Sequence, residues 1–167
     1  MRAYGVRGFI NEPGAWAIVV LRFGQWGNEL QGPLRMVVTV IYSVLYSITR
    51  LITGIDIPRS VVVGEGLRIF HFGGVNFAPN VVIGKRCRMR QGITVGLLTE
   101  SGPAPVVGDD VFIGAYAQIL GPITIGDGAK IGAMSVVLQD VPPGATAVGI
   151  PARILSAPKS NSNSSVK

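Results

Sequence analysis

The side chains that could do acid–base or nucleophilic chemistry are few in this chain of 167 residues. It contains one His, His71, and one Cys, Cys87. A single Cys forms no disulfide within a chain and builds no Cys-based metal site there, which fits a reducing compartment. An imidazole changes charge near neutral pH, so His71 is the first candidate for a general base.

The positive charge of the chain is unevenly distributed. The net charge is +6, and residues 1–53 carry five positive and two negative charges. Residues 54–158 carry eight and seven, and the last residues add two positive charges. Because the main body is nearly neutral, it lacks the broad basic face of a duplex-binding domain, and no nucleic-acid partner is expected.

An amphipathic helix is predicted before the main body. Aliphatic residues recur there at a spacing of three and four, namely Leu34, Val37, Val38, Ile41, Leu45, Ile48 and Ile52. Gly32-Pro33 suits the start of this helix and Gly54 its end. The uncharged run between Arg35 and Arg50 has 14 residues, fewer than the roughly 17–25 that a membrane span needs. A helix buried in the domain or at a subunit contact is favoured, and a helix on a membrane surface or a true span are the alternatives.

From residue 57 onward, aliphatic residues return at every sixth position. The first series is Ile57, Val63, Ile69 and Val75, and after a two-residue insertion it continues with Ile83, Met89 and Val95. An unbroken series follows, formed by Val107, Ile113, Ile119, Ile125, Ile131 and Val137. A period of six fits neither a helix nor a flat sheet and indicates a solenoid of short strands.

The period also predicts how the solenoid is packed. Each group of six residues gives one strand and one turn, and three groups close a triangular coil. The aliphatic residue points inward and stacks on its counterpart in the next coil, while Gly, present at 23 positions, relieves the tight turns. Charged residues make up only 14% of the chain, because so much of each coil faces inward or a neighbour.

These units resemble the hexapeptide repeats of the left-handed β-helix acyltransferases. The resemblance is sharpest in residues 53–58 (TGIDIP), 91–96 (QGITVG), 131–143 (IGAMSVVLQDVPP) and 149–154 (GIPARI). Together these segments are similar to serine acetyltransferases and to relatives that acetylate sugars in surface-polysaccharide assembly. The resemblance implies an all-β solenoid, a left-handed parallel β-helix with an N-terminal α-helical segment, and an acyltransferase.

The chain is accordingly divided into three predicted parts. These are an N-terminal helical segment (1–53), a left-handed β-helix acyltransferase domain (54–157) and a disordered tail (158–167). Ala15–Phe23 is apolar, but no small-residue cleavage motif follows it, so no signal peptide is predicted. The expected location is cytoplasmic, at the inner face of the membrane if residues 1–53 contact lipid.

The resemblance assigns the catalytic residues. In this family a His takes the proton from the acceptor hydroxyl, and an Asp 15 residues earlier orients that His. His71 and Asp56 have this spacing, and since a coil has about 18 residues, they are expected on adjacent coils at one edge. The acyl group is then transferred directly, with no covalent enzyme intermediate.

The donor implied by the family is acetyl-CoA, bound in a groove between two β-helices of a homotrimer. Gly96 is the candidate backbone donor to the oxyanion, Ala115 and Ala133 are placed along the pantetheine arm, and Arg153 near the phosphates. No metal is expected. The β-helix carbonic anhydrases need three His ligands around zinc, and this chain has one His.

Two departures from serine acetyltransferases concern the acceptor. Phe70 stands where those enzymes have an Asp before the catalytic His, and residues 102–105 (GPAP) stand where they have an Arg-His pair. Both changes remove polar partners of a zwitterion, whose burial without partners is costly. The residues assigned to the acceptor are Phe70, Gly73, Gly74 and Gln91, with the loop 97–106 shaping the site.

A sugar hydroxyl in exopolysaccharide or capsule biosynthesis is therefore favoured as the acceptor. Serine O-acetylation in cysteine biosynthesis is the alternative, and a non-catalytic β-helix scaffold is a further hypothesis. Four cations lie within six residues on exterior positions, namely Lys85, Arg86, Arg88 and Arg90. They predict a solvated or intersubunit face or, alternatively, contact with anionic lipid, CoA phosphate or an acidic glycan.

Overall fold

The computed structural model describes residues 13–155. Residues 1–12 and 156–167 lie outside the described part, so the predicted tail at 158–167 and the start of the helical segment are not described.

Two helices precede the strands, α1 (Pro13–Glu29) and α2 (Gly32–Thr53). The predicted limits of α2 are confirmed, because the Gly32-Pro33 pair opens the helix and Gly54 follows its last residue. Gly54 has a φ of 66° and donates its N–H to the Arg50 carbonyl at 2.9 Å. This left-handed residue is the usual way for a helix to end at a glycine.

Glycines allow α1 to pack closely against its neighbours. A Cβ at Gly27 would lie 2.7 Å from a methyl of Val38 on α2, and one at Gly24 would overlap the Tyr42 ring. At the other end of α1, a Cβ at Gly14 would lie 2.7 Å from Ile69. The helical hairpin therefore packs against the first coil of the solenoid through α1.

The strands form three parallel sheets on the sides of a triangular solenoid. Sheet A contains β1 (Ile55–Asp56), β4 (Val75–Phe77), β7 (Thr94–Gly96), β10 (Gln118–Leu120) and β13 (Val136–Val137). Sheet B contains β2 (Val62–Val63), β5 (Val82–Ile83), β8 (Val106–Val107) and β11 (Thr124–Ile125). Sheet C contains β3 (Arg68–Ile69), β6 (Arg88–Met89), β9 (Phe112–Ile113), β12 (Lys130–Ile131), β14 (Thr146–Val148) and an antiparallel last strand, β15 (Arg153–Leu155).

The registers confirm a coil of about 18 residues but correct one detail of the predicted repeat. Phe77 pairs with Val95, 18 residues on, and Val63 pairs with Ile83, 20 residues on. Phe77 therefore holds the inward aliphatic place, and Val75 belongs to the neighbouring column that contains Ile55. The two-residue insertion predicted after Val75 lies before it, in the turn between β3 and β4.

The inward residues of the repeat form one continuous core. The aliphatic positions predicted from the sequence are all buried, as are the small residues four positions later, among them Cys87, Ala117, Ala129 and Ser135. The Ser135 hydroxyl accepts a hydrogen bond from the Gly149 N–H at 3.1 Å, so this buried polar group has a partner. The predicted β-solenoid is confirmed.

The glycines that follow the aliphatic positions have a different cause from the one expected. A Cβ at Gly64 would lie 2.6 Å from the carbonyl carbon of Gly84, and one at Gly114 would lie 2.5 Å from the amide nitrogen of Ala133. Neither residue has a positive φ. Glycine is needed there because the backbone of the next coil passes too close for a side chain.

Helix α2 is largely exposed, which corrects the prediction of a helix buried within the domain. Its buried residues are Val38, Tyr42 and Thr53. Among the described residues, α2 is the one helix long and apolar enough to cross a membrane by length and composition, with a mean hydropathy of 1.6. The subunit contact, the membrane-surface helix and the membrane span remain as the interpretations of its apolar side.

Candidate active site

His71 lies in the turn between β3 and β4, which contains the two extra residues. Its φ is 72°, a left-handed conformation that costs a non-glycine residue free energy and is frequent at functional sites. The turn is fixed on both sides, since Gly73 donates to the Thr53 carbonyl at 2.8 Å and accepts from the Gly92 N–H at 3.0 Å. The side chain of His71 is exposed.

Asp56 lies on β1, one coil before His71. It pairs with Asn76 of β4, the strand that the His71 turn enters, so the two residues lie on adjacent coils near one edge. Its carboxylate accepts a short hydrogen bond from the Tyr46 hydroxyl and forms an ion pair with Arg50 at 3.5 Å. Within residues 13–155, His71 is not among its partners, and the catalytic roles of both residues stay predictions.

The Tyr46 phenol keeps its proton at neutral pH and donates it in a hydrogen bond to this carboxylate. Burial raises the pKa of the Tyr46 phenol well above its usual 10, and the hydrogen bond and negative charge of Asp56 raise it further. Since the phenol is protonated at neutral pH, it donates and Asp56 accepts. Helix α2 therefore supplies both observed partners of the predicted orienting residue.

Arg90 approaches the exposed ring of His71 from the next coil. Its Nη1 lies 3.3 Å from His71 Nε2, and its guanidinium lies 5.2 Å from the centre of the Phe70 ring. The Arg68 guanidinium lies 4.8 Å from the same ring. Phe70, which replaces an acidic residue in the family pattern, is thus in contact with two cations.

The other acceptor residues predicted from the sequence lie close to this point. Gly73 and Gly74 belong to the His71 turn, and Gln91 lies in the corresponding turn of the next coil. That turn is held by hydrogen bonds from the Gly92 N–H to Gly73 and from the Tyr116 N–H to Gln91. The structure therefore brings the predicted acceptor residues together around His71.

The residues predicted for acetyl-CoA lie on two different edges. The CA edge is formed by the turns that lead from sheet C to sheet A, and it contains His71, Ala115 and Ala133. Arg153 is an exposed residue of β15 at the end of sheet C. Gly96 ends β7 on the opposite edge of sheet A, where the loop 97–105 leaves the solenoid.

Within one chain, therefore, the structure does not bring Gly96 to His71. The loop that was expected to shape the acceptor site also lies on the far edge, and Leu98 of this loop packs against Gly121 there. Sheet A separates the two places, so they can form one site only if different copies of the chain meet.

The four clustered cations are all exposed, but their surroundings differ. Arg86 forms a bidentate ion pair with Asp110 of the next coil, at 2.7 and 2.5 Å. Arg88 lies over the Phe112 ring at 5.9 Å, and Arg90 contacts His71. The cluster is therefore not a single uniform basic face.

Cys87 does not have the properties of a nucleophile. Its thiol is buried in the core and donates to the Gly108 carbonyl, with 3.1 Å between Sγ and the oxygen. Burial raises the pKa of Cys87 to about 11, so little thiolate exists at neutral pH.

A further cleft was not predicted from the sequence. It has a volume of about 410 Å³ and lies between α2 and the first coil. The residues that line it are Tyr42, Ser43, Tyr46, Ser47, Pro58, Arg59 and Ser60. In the sequence, the cleft is indicated only by the spacing of four between Tyr42 and Tyr46 and between Ser43 and Ser47. That spacing is common on polar helix faces and does not by itself predict a cleft.

Known proteins are similar to this chain in sequence. The family described as "Bacterial transferase hexapeptide (six repeats)" matches residues 104–139. A serine acetyltransferase of Synechococcus elongatus is 38% identical over 145 residues, which are 86% of this chain and 57% of that protein. One from Escherichia coli K12 is 37% identical over 151 residues, which are 89% of this chain and 53% of that protein.

Solved structures agree with the sequence comparisons. The soybean serine acetyltransferase apoenzyme has a TM-score of 0.76 at 37% identity, covering 87% of this chain and 58% of that one. The enzyme from Vibrio cholerae has a TM-score of 0.77 at 31% identity, covering 89% and 56%. This chain spans little more than half of the length of these relatives. With its three stacked sheets and these similarities, the chain belongs to the hexapeptide-repeat transferases, in the serine acetyltransferase-like branch of the left-handed β-helix class.

Proposed function

We propose that the chain is an acetyl-CoA-dependent O-acetyltransferase with His71 as the general base. The observation that carries this proposal is the placement of His71. It lies in a strained and exposed turn, on the coil that follows Asp56, in a hexapeptide β-helix. Strained residues on rigid scaffolds are frequent at catalytic sites.

The chemistry needs one unprotonated ring nitrogen on His71. Arg90 can only donate, so its contact with Nε2 fits a neutral ring whose proton is on Nδ1. When the acceptor hydroxyl replaces Arg90 at this nitrogen, Nε2 would take the hydroxyl proton while the oxygen attacks the thioester carbonyl. The C–S bond breaks, the acetyl group moves to the oxygen, and coenzyme A leaves as a thiol after it takes up the proton.

The acceptor with the best support is L-serine. The similar proteins and structures named above are all called serine acetyltransferases. These similarities support serine, the alternative acceptor in the sequence analysis, better than the acceptor favoured there, a sugar hydroxyl in polysaccharide assembly.

The sugar acceptor is kept as a second candidate because of one specific observation. The residue before His71 is Phe70, and the guanidinium groups of Arg68 and Arg90 lie 4.8 and 5.2 Å from the centre of its ring. An ammonium group placed there would be repelled by these two cations. A neutral or anionic acceptor would not be repelled. The acceptor assay below separates the two candidates.

A homotrimer is part of the proposal. Gly96 and His71 lie on opposite edges of sheet A, so a groove between two subunits is a way to join them in one site. Ala115 and Ala133 follow His71 along the CA edge and are the proposed contacts of the pantetheine arm, with Arg153 for the phosphates. The proposed location is the cytoplasm.

The test is thiol release from acetyl-CoA with L-serine, free sugars and nucleotide- or lipid-linked sugars as acceptors. We expect His71→Gln to lower turnover by roughly 100-fold or more, the contribution of a positioned base. Glu65→Gln, on an exposed residue of the turn between β2 and β3 and away from both edges of sheet A, is the control. Turnover that is the same in His71→Gln, or absent with every acceptor, would overturn the proposed function.

A further inference from the structure

Helix α2 has an apolar side that nothing in the described part of the chain covers. We call the large apolar side chains on this side the outer face of α2. They are Leu34, Met36, Val37, Val40, Ile41, Val44, Leu45, Ile48, Leu51 and Ile52, and each is between 40% and 87% exposed. A contiguous apolar surface of this size on a protein marks an interaction site.

The opposite side of α2 is fixed to the rest of the protein along its length. Val38 packs on Gly27, Tyr42 packs on Gly24, and Tyr46 is hydrogen-bonded to Asp56. A helix held in this way cannot be surrounded by lipid on all sides. Its outer face can, however, lie flat on a surface over the length of the helix, about 33 Å for 22 residues.

The charges around the outer face favour an anionic surface. No Asp or Glu occurs between residues 30 and 55, and the two charged residues of the helix are Arg35 and Arg50. Arg50 is paired with Asp56 but its side chain is still 56% exposed. Arg35 forms no ion pair within residues 13–155. Phosphate headgroups would complement Arg35 directly, whereas Arg50 already has a carboxylate partner in Asp56.

A second copy of α2 is a poorer occupant. If two copies met antiparallel through their centres, Arg35 of one helix would lie near Arg50 of the other, whose carboxylate partner Asp56 is already engaged, so Arg35 would gain no acidic partner of its own. Trp26 adds to the case for lipid. It is 49% exposed and directly precedes Gly27, the residue on which Val38 packs, and Trp is enriched at membrane interfaces.

We propose that the outer face of α2 binds the surface of an anionic phospholipid bilayer, with the helix in the plane of the interface. The apolar side chains enter the boundary between headgroups and acyl chains, as in other amphipathic interfacial helices. The solenoid then remains in water, attached through α1 and the inner side of α2. This proposal does not depend on the acetyltransferase activity.

The test is flotation of the full chain with vesicles of phosphatidylcholine containing about 30% phosphatidylglycerol, and with pure phosphatidylcholine vesicles. We expect binding to the anionic vesicles, weaker binding at high salt and weaker binding to the neutral vesicles. The double variant Val44→Glu/Ile48→Glu should lose roughly tenfold or more in partitioning. Leu138→Glu makes the same kind of change on an exposed apolar residue of the solenoid and should bind as the unchanged chain does.

Three results would overturn the proposal. The first is the absence of binding of the unchanged chain to the anionic vesicles, which needs no variant. The second is equal binding of the double variant, and the third is a lipid-free oligomer that falls apart in the double variant and not in Leu138→Glu. The third result would show that the outer face is a contact between copies. Thermal unfolding of each variant confirms that it is folded, and thiol release in lipid-free buffer tests the enzyme separately.

Discussion

The Tyr46 hydroxyl and the Asp56 carboxylate are hydrogen-bonded, which joins α2 to the first strand of the solenoid. Arg50, one turn further along the helix, reaches the other oxygen of the same carboxylate at 3.5 Å. The residue proposed to orient His71 is thus held by the helix whose outer face is proposed to bind lipid. The two proposals are tested separately, but they share this carboxylate.

The Tyr46–Asp56 bond predicts a loss of stability in alkaline solution. Burial and the Asp56 carboxylate raise the pKa of Tyr46 in the folded protein above the usual value of 10, so the folded state holds this proton more tightly. The resulting stability is complete below pH 10 and is lost as the pH rises above 10. We expect Tyr46→Phe to cost about 1 kcal/mol of unfolding free energy at pH 8 and to flatten the decline above pH 10.

Urea unfolding at pH 8 and at pH 10.5 measures both effects. Burial also raises the pKa of Tyr42, so part of the alkaline decline should remain in Tyr46→Phe. Tyr116→Phe, on an exposed tyrosine, is the control. An alkaline decline of the same size in Tyr46→Phe and in the unchanged chain would contradict the prediction.

The Arg86–Asp110 pair predicts an opposite dependence at acid pH. The hydrogen bonds from Arg86 hold the pKa of Asp110 below its usual value of 3.8 in the folded protein. Its contribution to stability is therefore present above about pH 4 and is lost as the pH falls below it. We expect Asp110→Asn to change the acid side of the stability profile while Glu100→Gln, on an exposed loop residue, does not. Because the pair is fully exposed, an effect near pH 7 larger than that of ordinary surface substitutions would contradict this account.

Two glycines allow the strain of a positive φ to be separated from a steric clash. Gly128 has a φ of 67° and nothing within 4 Å of an added Cβ, so Gly128→Ala should cost about 1–2 kcal/mol of unfolding free energy. Gly92 has a φ of 72°, and an added Cβ would overlap the Tyr116 ring. Gly92→Ala should therefore cost more than Gly128→Ala in chemical denaturation. Equal costs would show that the ring moves away without penalty.

The sequence predicted the solenoid because its period of six is a local property that each coil repeats. It misplaced the insertion because Val75 and Phe77 are both apolar and both buried, so either could hold the inward place. Only the pairing of Phe77 with Val95 settles the register. The corrected register matters for the site, since it puts the extra residues in the His71 turn.

Other features depend on strand order and on contacts between elements, which the pattern of residues along the chain does not show. The period shows that Gly96 and His71 are both at the ends of strands, but the edge to which each belongs follows only from the strand order. The apolar spacing of α2 predicted the helix but not its surroundings, because a core helix and a surface helix share the same pattern. The partners of Asp56 were not predicted either, since nothing in the sequence pattern shows that Tyr46 and Arg50 of α2 reach the first strand.

The contact between Arg90 and His71 predicts which ring nitrogen carries the proton. A guanidinium has donors and no acceptor, so a hydrogen bond across this 3.3 Å contact would use the lone pair of Nε2 and leave the proton of the neutral ring on Nδ1. Because His71 is the only His of the chain, nitrogen NMR of the labelled protein in alkaline buffer shows this ring without overlap. We expect Nε2 to be the unprotonated nitrogen, and Arg90→Gln to increase the fraction of the other tautomer.

Arg88→Gln is the control for this experiment. It removes a neighbouring guanidinium that lies over Phe112 and should leave the spectrum unchanged. A proton on Nε2 in the unchanged chain would contradict the contact and remove the lone pair that the proposed base needs.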